Sequence, residues 1–154
     1  MPARLRRLEW LFERHPIFFI TAATFRRAPI LADPTIHYAL KHFAEKGSDH
    51  GACLGAYVLM PDHLHAFVVL DDRKITLSLW MKSLKNALSK ALRASGVRAP
   101  HWQKGYFDHI LRSAESYEEK WHYVRENPVR ANLVSRWEDW PYRGEPQRID
   151  YRKL

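Results

Sequence analysis

Apolar positions along this chain recur in two rhythms, and the change from one to the other marks out the elements. Pro16 opens an apolar, β-rich run, Ile17 to Phe25, whose composition predicts a buried strand. Asp33-Pro34 then reads as an N-cap followed by proline at the first helical position, and Gly47 as a C-cap. Between them Ile36, Leu40, Phe43 and Ala44 keep helical spacing. Two further apolar β-type runs follow, Cys53 to Met60 and His65 to Leu70, joined by the turn Pro61-Asp62 and stopped by Asp71-Asp72. Leu77, Trp80, Met81, Leu84, Leu88, Ala91 and Leu92 then return at three- and four-residue steps until Gly96. They form one helical stripe, with Lys82, Asn86, Ser89 and Arg93 placed opposite. A last strand is expected within Tyr106 to Leu111. Ser116 to Glu119 has the form of a capping box, and the helix it opens should stop near Asn127, before Pro128.

This order predicts an α+β fold: a ferredoxin-like antiparallel sheet with helices on one face, plus a C-terminal helix that carries a tyrosine. A parallel arrangement is disfavoured, because Pro61-Asp62 leaves no room for a crossover. Repeats, low-complexity tracts and Gly/Ser linkers are absent, so a single domain over residues 1–154 is expected. Its core would span about residues 16–142, with a basic arm over 1–15 and a tail over 143–154.

Charge adds a partner to this picture. The chain has 25 Lys plus Arg against 17 Asp plus Glu, a formal net charge of +8. Between Arg73 and Phe107 stand Arg73, Lys74, Lys82, Lys85, Lys90, Arg93, Arg98 and Lys104 without one acid, so the excess falls on that segment. A concentrated positive field is the footprint of a polyanion, most commonly nucleic acid, against the plainer reading of a solvated helix face. Apolar runs such as Ile17 to Ala23, broken by Thr21, are far short of the roughly 20 residues a membrane helix needs. One cysteine, Cys53, excludes an internal disulfide framework and a CxxC zinc site. A cytoplasmic, nucleoid-associated location is the expectation.

Two short patterns carry chemistry. His63 and His65 stand two apart at the mouth of an expected strand, which puts both imidazoles on one face and Leu64 in the core. Neutral imidazoles so placed are a ready pair of metal ligands, although an isolated HxH is more often two surface histidines. On the later helix Tyr117, Trp121 and Val124 form the core stripe, while Glu119, Tyr123 and Asn127 recur every fourth residue on the other side. A tyrosine with an amide one turn on, a histidine pair and a cationic helix together suit metal-assisted attack of Tyr123 on a DNA phosphate. A phenol titrates near pH 10 and needs such help at neutral pH.

Val58-Leu59-Met60-Pro61-Asp62-His63-Leu64-His65 resembles the HUH motif (His, hydrophobic, His) of single-tyrosine transposases. His122 to Arg130 resembles their tyrosine helix in the Tyr-x-x-x-Asn-Pro-Val form. With Trp102-Gln103, Phe107-Asp108-His109 and Trp137 to Tyr142 around it, that form is similar to the REP-associated tyrosine transposases of the insertion-sequence 200-like family. The resemblance implies a ferredoxin-like endonuclease and strand transferase that nicks single-stranded DNA at the foot of palindromic hairpins through a phosphotyrosine intermediate. His63, His65 and Asn127 would hold Mg²⁺ or Mn²⁺, with Glu126 the alternative third ligand, and Tyr123 would be the nucleophile. DNA would be gripped by Arg6, Arg7, Lys82, Lys85, Lys90, Arg93 and Arg130, the segments 4–14 and 130–153 reading the hairpin. Trp102, Trp137 and Trp140 are candidates for stacking on bases or for core packing. His109 and His122 are further imidazoles in that region, and Asp62 is a turn residue that could orient His63 or His65. Monomer and homodimer both stay open, and so do a non-catalytic single-strand-binding module and a metal hydrolase that uses a bound water.

Overall fold

The computed structural model describes residues 15–151. Among these residues five strands form one antiparallel sheet in the order β4-β1-β3-β2-β5, with β1 at Ile17–Ala23, β2 at Ala52–Leu59, β3 at His63–Leu70, β4 at Phe107–Leu111 and β5 at Arg143–Gly144. The first four follow the expected ferredoxin-like plan. β2 and β3 meet across the Pro61-Asp62 turn, closed by Met60 N–H to His63 O at 2.8 Å. The ladder therefore begins at His63, and both histidines lie within β3.

Two helices pack on one face. Helix α1, Pro34–Gly47, is capped by Asp33, whose carboxylate accepts from the backbone N–H groups of Thr35 and Ile36. Helix α2, Leu77–Ala94, is capped by Thr76. Its stripe Trp80, Met81, Leu84, Leu88 and Leu92 is buried against Leu64, Ala66, Val68 and Leu70 of β3. Each such side chain contributes about 1.5–3 kcal/mol by leaving water. Ser89, expected on the solvent side, is buried instead, because the chain after α2 folds back over it. Its hydroxyl accepts from Trp102 Nε1 at 3.0 Å and lies 2.9 Å from His101 Nδ1.

Helix α3, Ala114–Arg125, covers the other face, so the layers are helices, sheet, helix. Tyr117 and Val124 pack there with Phe19, Val58, Phe67 and Val69. Its cap lies three residues before the expected box: Ser113 Oγ accepts from Ser116 N–H at 3.0 Å. Ser116 is thus an interior residue of the first turn. Pro128 has no N–H to continue the ladder, and the chain breaks at Glu126 into a single turn, α4, Asn127–Arg130.

Residues 143–151, expected to belong to a tail, are built into the domain. β5 adds to the edge of β2, and Ile149 is buried so closely over Gly55 that a Cβ there would collide with it. Among the described residues no helix is long and apolar enough to cross a membrane.

Candidate active site

Alternation along β3 sorts its side chains. Leu64 and Ala66 enter the core beneath α1 and α2, while His63 and His65 emerge on the α3 face in line with Phe67 and Val69. The two rings meet edge to face with centroids 4.6 Å apart. Each has its Nδ1 already engaged. His63 Nδ1 donates to Asp62 Oδ1 at 2.8 Å, and His65 Nδ1 lies 2.8 Å from Thr21 Oγ1 on the neighbouring β1. His63 Nε2 therefore keeps its lone pair, and His65 Nε2 keeps its own in the tautomer that donates from Nδ1 to the Thr21 hydroxyl. A carboxylate or hydroxyl behind the ring is the usual way a metal-binding imidazole is oriented.

Burial holds both rings neutral. It pushes the His65 imidazole down to about 3, helped by His63, Lys120, Arg27 and Arg130. His63 is also lowered, burial outweighing the opposing pull of Asp62. Asn127, at the start of α4, brings its side-chain amide to 3.1 Å from His63 Nε2. Two neutral imidazoles and an amide that can turn its oxygen inward make a donor set that fits a divalent cation.

Tyr123 is 61% exposed. It lines a cleft with His109, Ser116, Glu119 and Lys120. Lys120 bridges the two places, since its ammonium sits 5.0 Å over the Phe19 ring on which His65 stacks at 5.4 Å. The Arg130 guanidinium lies 3.9 Å over the Tyr123 ring and donates to the Tyr123 carbonyl at 2.6 Å. Phenol, amide and imidazoles thus come from the two helical segments on either side of the Glu126 break and from β3.

Among the described residues three cations converge on the histidine pair, Arg27, Lys120 and Arg130, of which Arg130 was expected as a DNA-binding residue but not at this place. Arg27 donates from Nε to Asp62 Oδ2 at 2.9 Å and brings Nη2 within 3.4 Å of His63 Nδ1. It is aimed by a turn in which Arg26 and Arg27 both take left-handed backbone, φ 54° and 57°. Such positions cost about 1–3 kcal/mol each outside glycine. The turn is held by Thr24 Oγ1, which donates to Ala28 O at 2.8 Å and to Asp62 O at 3.1 Å. Lys120 is the third. Neither it nor Arg27 had a local signal in the sequence, because both reach the site only through the pairing of β1 with β3 and the packing of α3.

The basic helix lies elsewhere. Lys82, Lys90 and Arg93 are exposed on α2, across the sheet from the histidines. The half-buried Lys85 donates to the carbonyl oxygens of Gln103 and Gly105, at 3.2 and 2.5 Å, and so braces the loop before β4. Arg6 and Arg7 fall outside the described residues. Trp140 is buried and donates to Leu59 O. Trp102 is pinned to α2 through Lys85 O and Ser89. Trp137 lies between the guanidiniums of Arg125 and Arg143, each 5.0 Å from its ring. His122 is turned to Arg125. A separate group, His15, Asp71 and Asp72, stands at the far end of β3, where Arg73 already pairs with Asp71.

Comparison with known proteins bears on this arrangement. Residues 15–127 match the family described as "Transposase IS200 like". The chain is 25% identical over 126 residues to a REP-associated tyrosine transposase of Escherichia coli K12, covering 81% of this chain and 73% of that protein. Its fold superposes with a TM-score of 0.68 on the structure of a REP-associated tyrosine transposase bound to a REP hairpin. That match is 25% identical and covers 83% of this chain and 75% of the other.

Proposed function

The chain belongs to the IS200-like transposase family, and from that premise we propose that it nicks and rejoins single-stranded DNA beside palindromic hairpins, with Tyr123 as nucleophile. The observation that carries this reading is the assembly of His63, His65 and Asn127 on one side of the sheet, both rings held from behind through Nδ1, next to the cleft that holds Tyr123. The resemblance to a transposase with a hairpin in its structure supplies the substrate class.

His63, His65 and Asn127 would hold Mg²⁺ or Mn²⁺, which would polarise the scissile phosphate and so lower the barrier to displacement. Arg27, Lys120 and Arg130 place positive charge around the pair, suited to seating a phosphodiester and to the charge that grows on its oxygens. Tyr123 Oη, on a solvent-exposed ring, attacks phosphorus and loses its proton to solvent. The bond from phosphorus to the 3′-oxygen breaks, and that oxygen takes up a proton to become a 3′-hydroxyl. A 5′-phosphotyrosine is left, whose energy lets the 3′-hydroxyl of another end reverse the step. Lys82, Lys90, Arg93 and the basic amino-terminal segment with Arg6 and Arg7 would hold the flanking DNA by its phosphates.

The test is incubation with hairpin-bearing single-stranded DNA and Mn²⁺, then denaturing electrophoresis. A covalent adduct that forms with the parent protein and is lost in Tyr123→Phe is the expected result. Cleavage that persists in Tyr123→Phe would instead mark a metal hydrolase, and DNA binding with no cleavage at all a binding module.

A further inference from the structure

We propose that the cleft between β1, Arg27 and the loop 103–107 is a nucleobase pocket, in which one unpaired base stacks on Phe107 while its phosphates lie against Arg27 and Lys104. The cleft has a volume of about 370 Å³ and is lined by Thr21, Arg27, Gln103, Lys104, Tyr106 and Phe107, among others. That is the small end of ligand clefts, which run to roughly 300–1,000 Å³, and it suits a single nucleotide.

Its position ties it to the reaction. Thr21 forms part of its wall and holds His65 through Oγ1 at 2.8 Å. Arg27 forms another part and comes within 3.4 Å of His63 Nδ1. A nucleotide seated there is next to the phosphate at the histidines, so its base is the one flanking the cut. That identification of the flanked phosphate rests on the strand-transfer reading; the stacking itself does not.

The wall is chemically fit for a base. Phe107 stands directly across from Thr21 in the β1–β4 ladder, so its ring rises on the histidine face. β4 is the edge strand, and this ring is 57% exposed. An aromatic face open to solvent and rimmed by cations is the common platform for single-stranded nucleic acid. The loop that carries it is stiff. Gln103 N–H donates to Ala23 O at 2.9 Å, Lys85 caps the Gln103 and Gly105 carbonyls, and Gly105 makes the bend at φ 78°. A wall fixed before binding loses little freedom when it is filled. The pocket also gives the basic helix a route to the site. A second cleft, lined by Lys82, Lys85, Asn86 and Trp102, shares Gly105 and Tyr106 with the first. The two open on either side of one loop, so a strand leaving α2 can pass over it to the histidines.

Fluorescence anisotropy with a short thymidylate strand, and with an abasic strand of the same length, tests this in the Tyr123→Phe protein at one fixed salt concentration. Thymidylate should bind tighter by about 5–150-fold, the size of one base–aromatic stack. Adding Phe107→Ala should remove at least about fivefold of that ratio and leave the abasic affinity unchanged, whereas Phe107→Trp should keep the ratio. The same ratio in Phe107→Ala, or no preference for bases in its parent, overturns the pocket. Adduct formation by the protein with Tyr123 intact, run in parallel on hairpin DNA, separates the two claims. Adduct without a Phe107-dependent preference overturns the pocket alone. The preference without adduct supports the pocket and overturns the strand-transfer reading.

Discussion

Thr21→Val offers the sharpest test of how the histidine pair is poised. The change keeps the side chain's shape and removes the hydroxyl that sits 2.8 Å from His65 Nδ1. Two consequences can be sized. The ring nitrogen loses its partner in a site where burial already pushes the imidazole down to about 3, and an unsatisfied buried polar group costs about 1–3 kcal/mol. The ring is also freed to rotate, so Nε2 is no longer held outward. Partners behind metal-binding histidines are worth about 10–100-fold in metal affinity, or about 1.4–2.7 kcal/mol at 1.36 kcal/mol per factor of ten. Mn²⁺ titration followed by the paramagnetic resonance of the free ion should therefore show binding weakened by about one to two orders of magnitude in Thr21→Val. Covalent adduct on hairpin DNA should need correspondingly more Mn²⁺ and recover when the metal is in excess. Thr21→Ser keeps the hydroxyl and should titrate with the parent. If Thr21→Val binds Mn²⁺ as the parent does, Thr21 does not orient His65 and the assignment of its outward nitrogen fails.

Other expectations follow from single interactions. Ser113→Ala should lower stability by about 0.5–2 kcal/mol in urea unfolding, while Ser116→Ala should cost less; the reverse order would return the cap of α3 to Ser116. Replacing Lys82, Lys90 and Arg93 together by Gln should flatten the salt dependence of single-strand affinity, by about 0.7 log units for each phosphate these side chains neutralise. Because these residues lie across the sheet from the histidines, adduct yield at saturating DNA should be unchanged; an unaltered salt slope would remove them from the DNA surface. His37 Nε2 lies 2.6 Å from the Tyr57 hydroxyl, and burial, aided by Lys41, lowers its imidazole to about 4. The unfolded chain binds that proton near pH 6.5 and the folded one only near 4, so the stability it contributes is complete above about pH 6.5 and lost as pH falls toward 4. In His37→Gln the urea midpoint should fall less steeply across that window; equal slopes would refute the burial of a neutral ring.

The helices and strands were readable because each is written in one period. The stripe from Trp80 to Leu92 is a run of side chains one turn apart, and the same residues are buried in the fold. The pair His63 and His65 straddles Leu64 at the two-residue period of a strand, and Leu64 is fully buried between them. Expectation and structure part where a residue's surroundings are supplied by a distant segment. Ser89 looked exposed from its place on the helical wheel, but the His101-Trp102 segment closes over it. Ser116 matched the capping-box pattern, yet Ser113 is the cap without it, since an N-cap needs only an acceptor two or three residues before a free N–H. The expected tail is held by Ile149 and β5, pairings that no local pattern announces.

By itself the sequence determined the order of elements, the face of each helix and strand that turns inward, and the residue types of the site. Local periodicity and the backbone limits of proline and glycine act between neighbours in the chain, so they need nothing else. Which side of the sheet each element covers was decided only by the tertiary structure. The excess charge between Arg73 and Phe107 follows the histidine strand in sequence, yet α2 packs on the opposite side of that strand's sheet. The field at His63 and His65 comes instead from Arg27, Lys120 and Arg130, drawn from three separate places in the chain. Electrostatics and hydrogen bonding act through space over a few ångströms, and only the folded chain sets those distances.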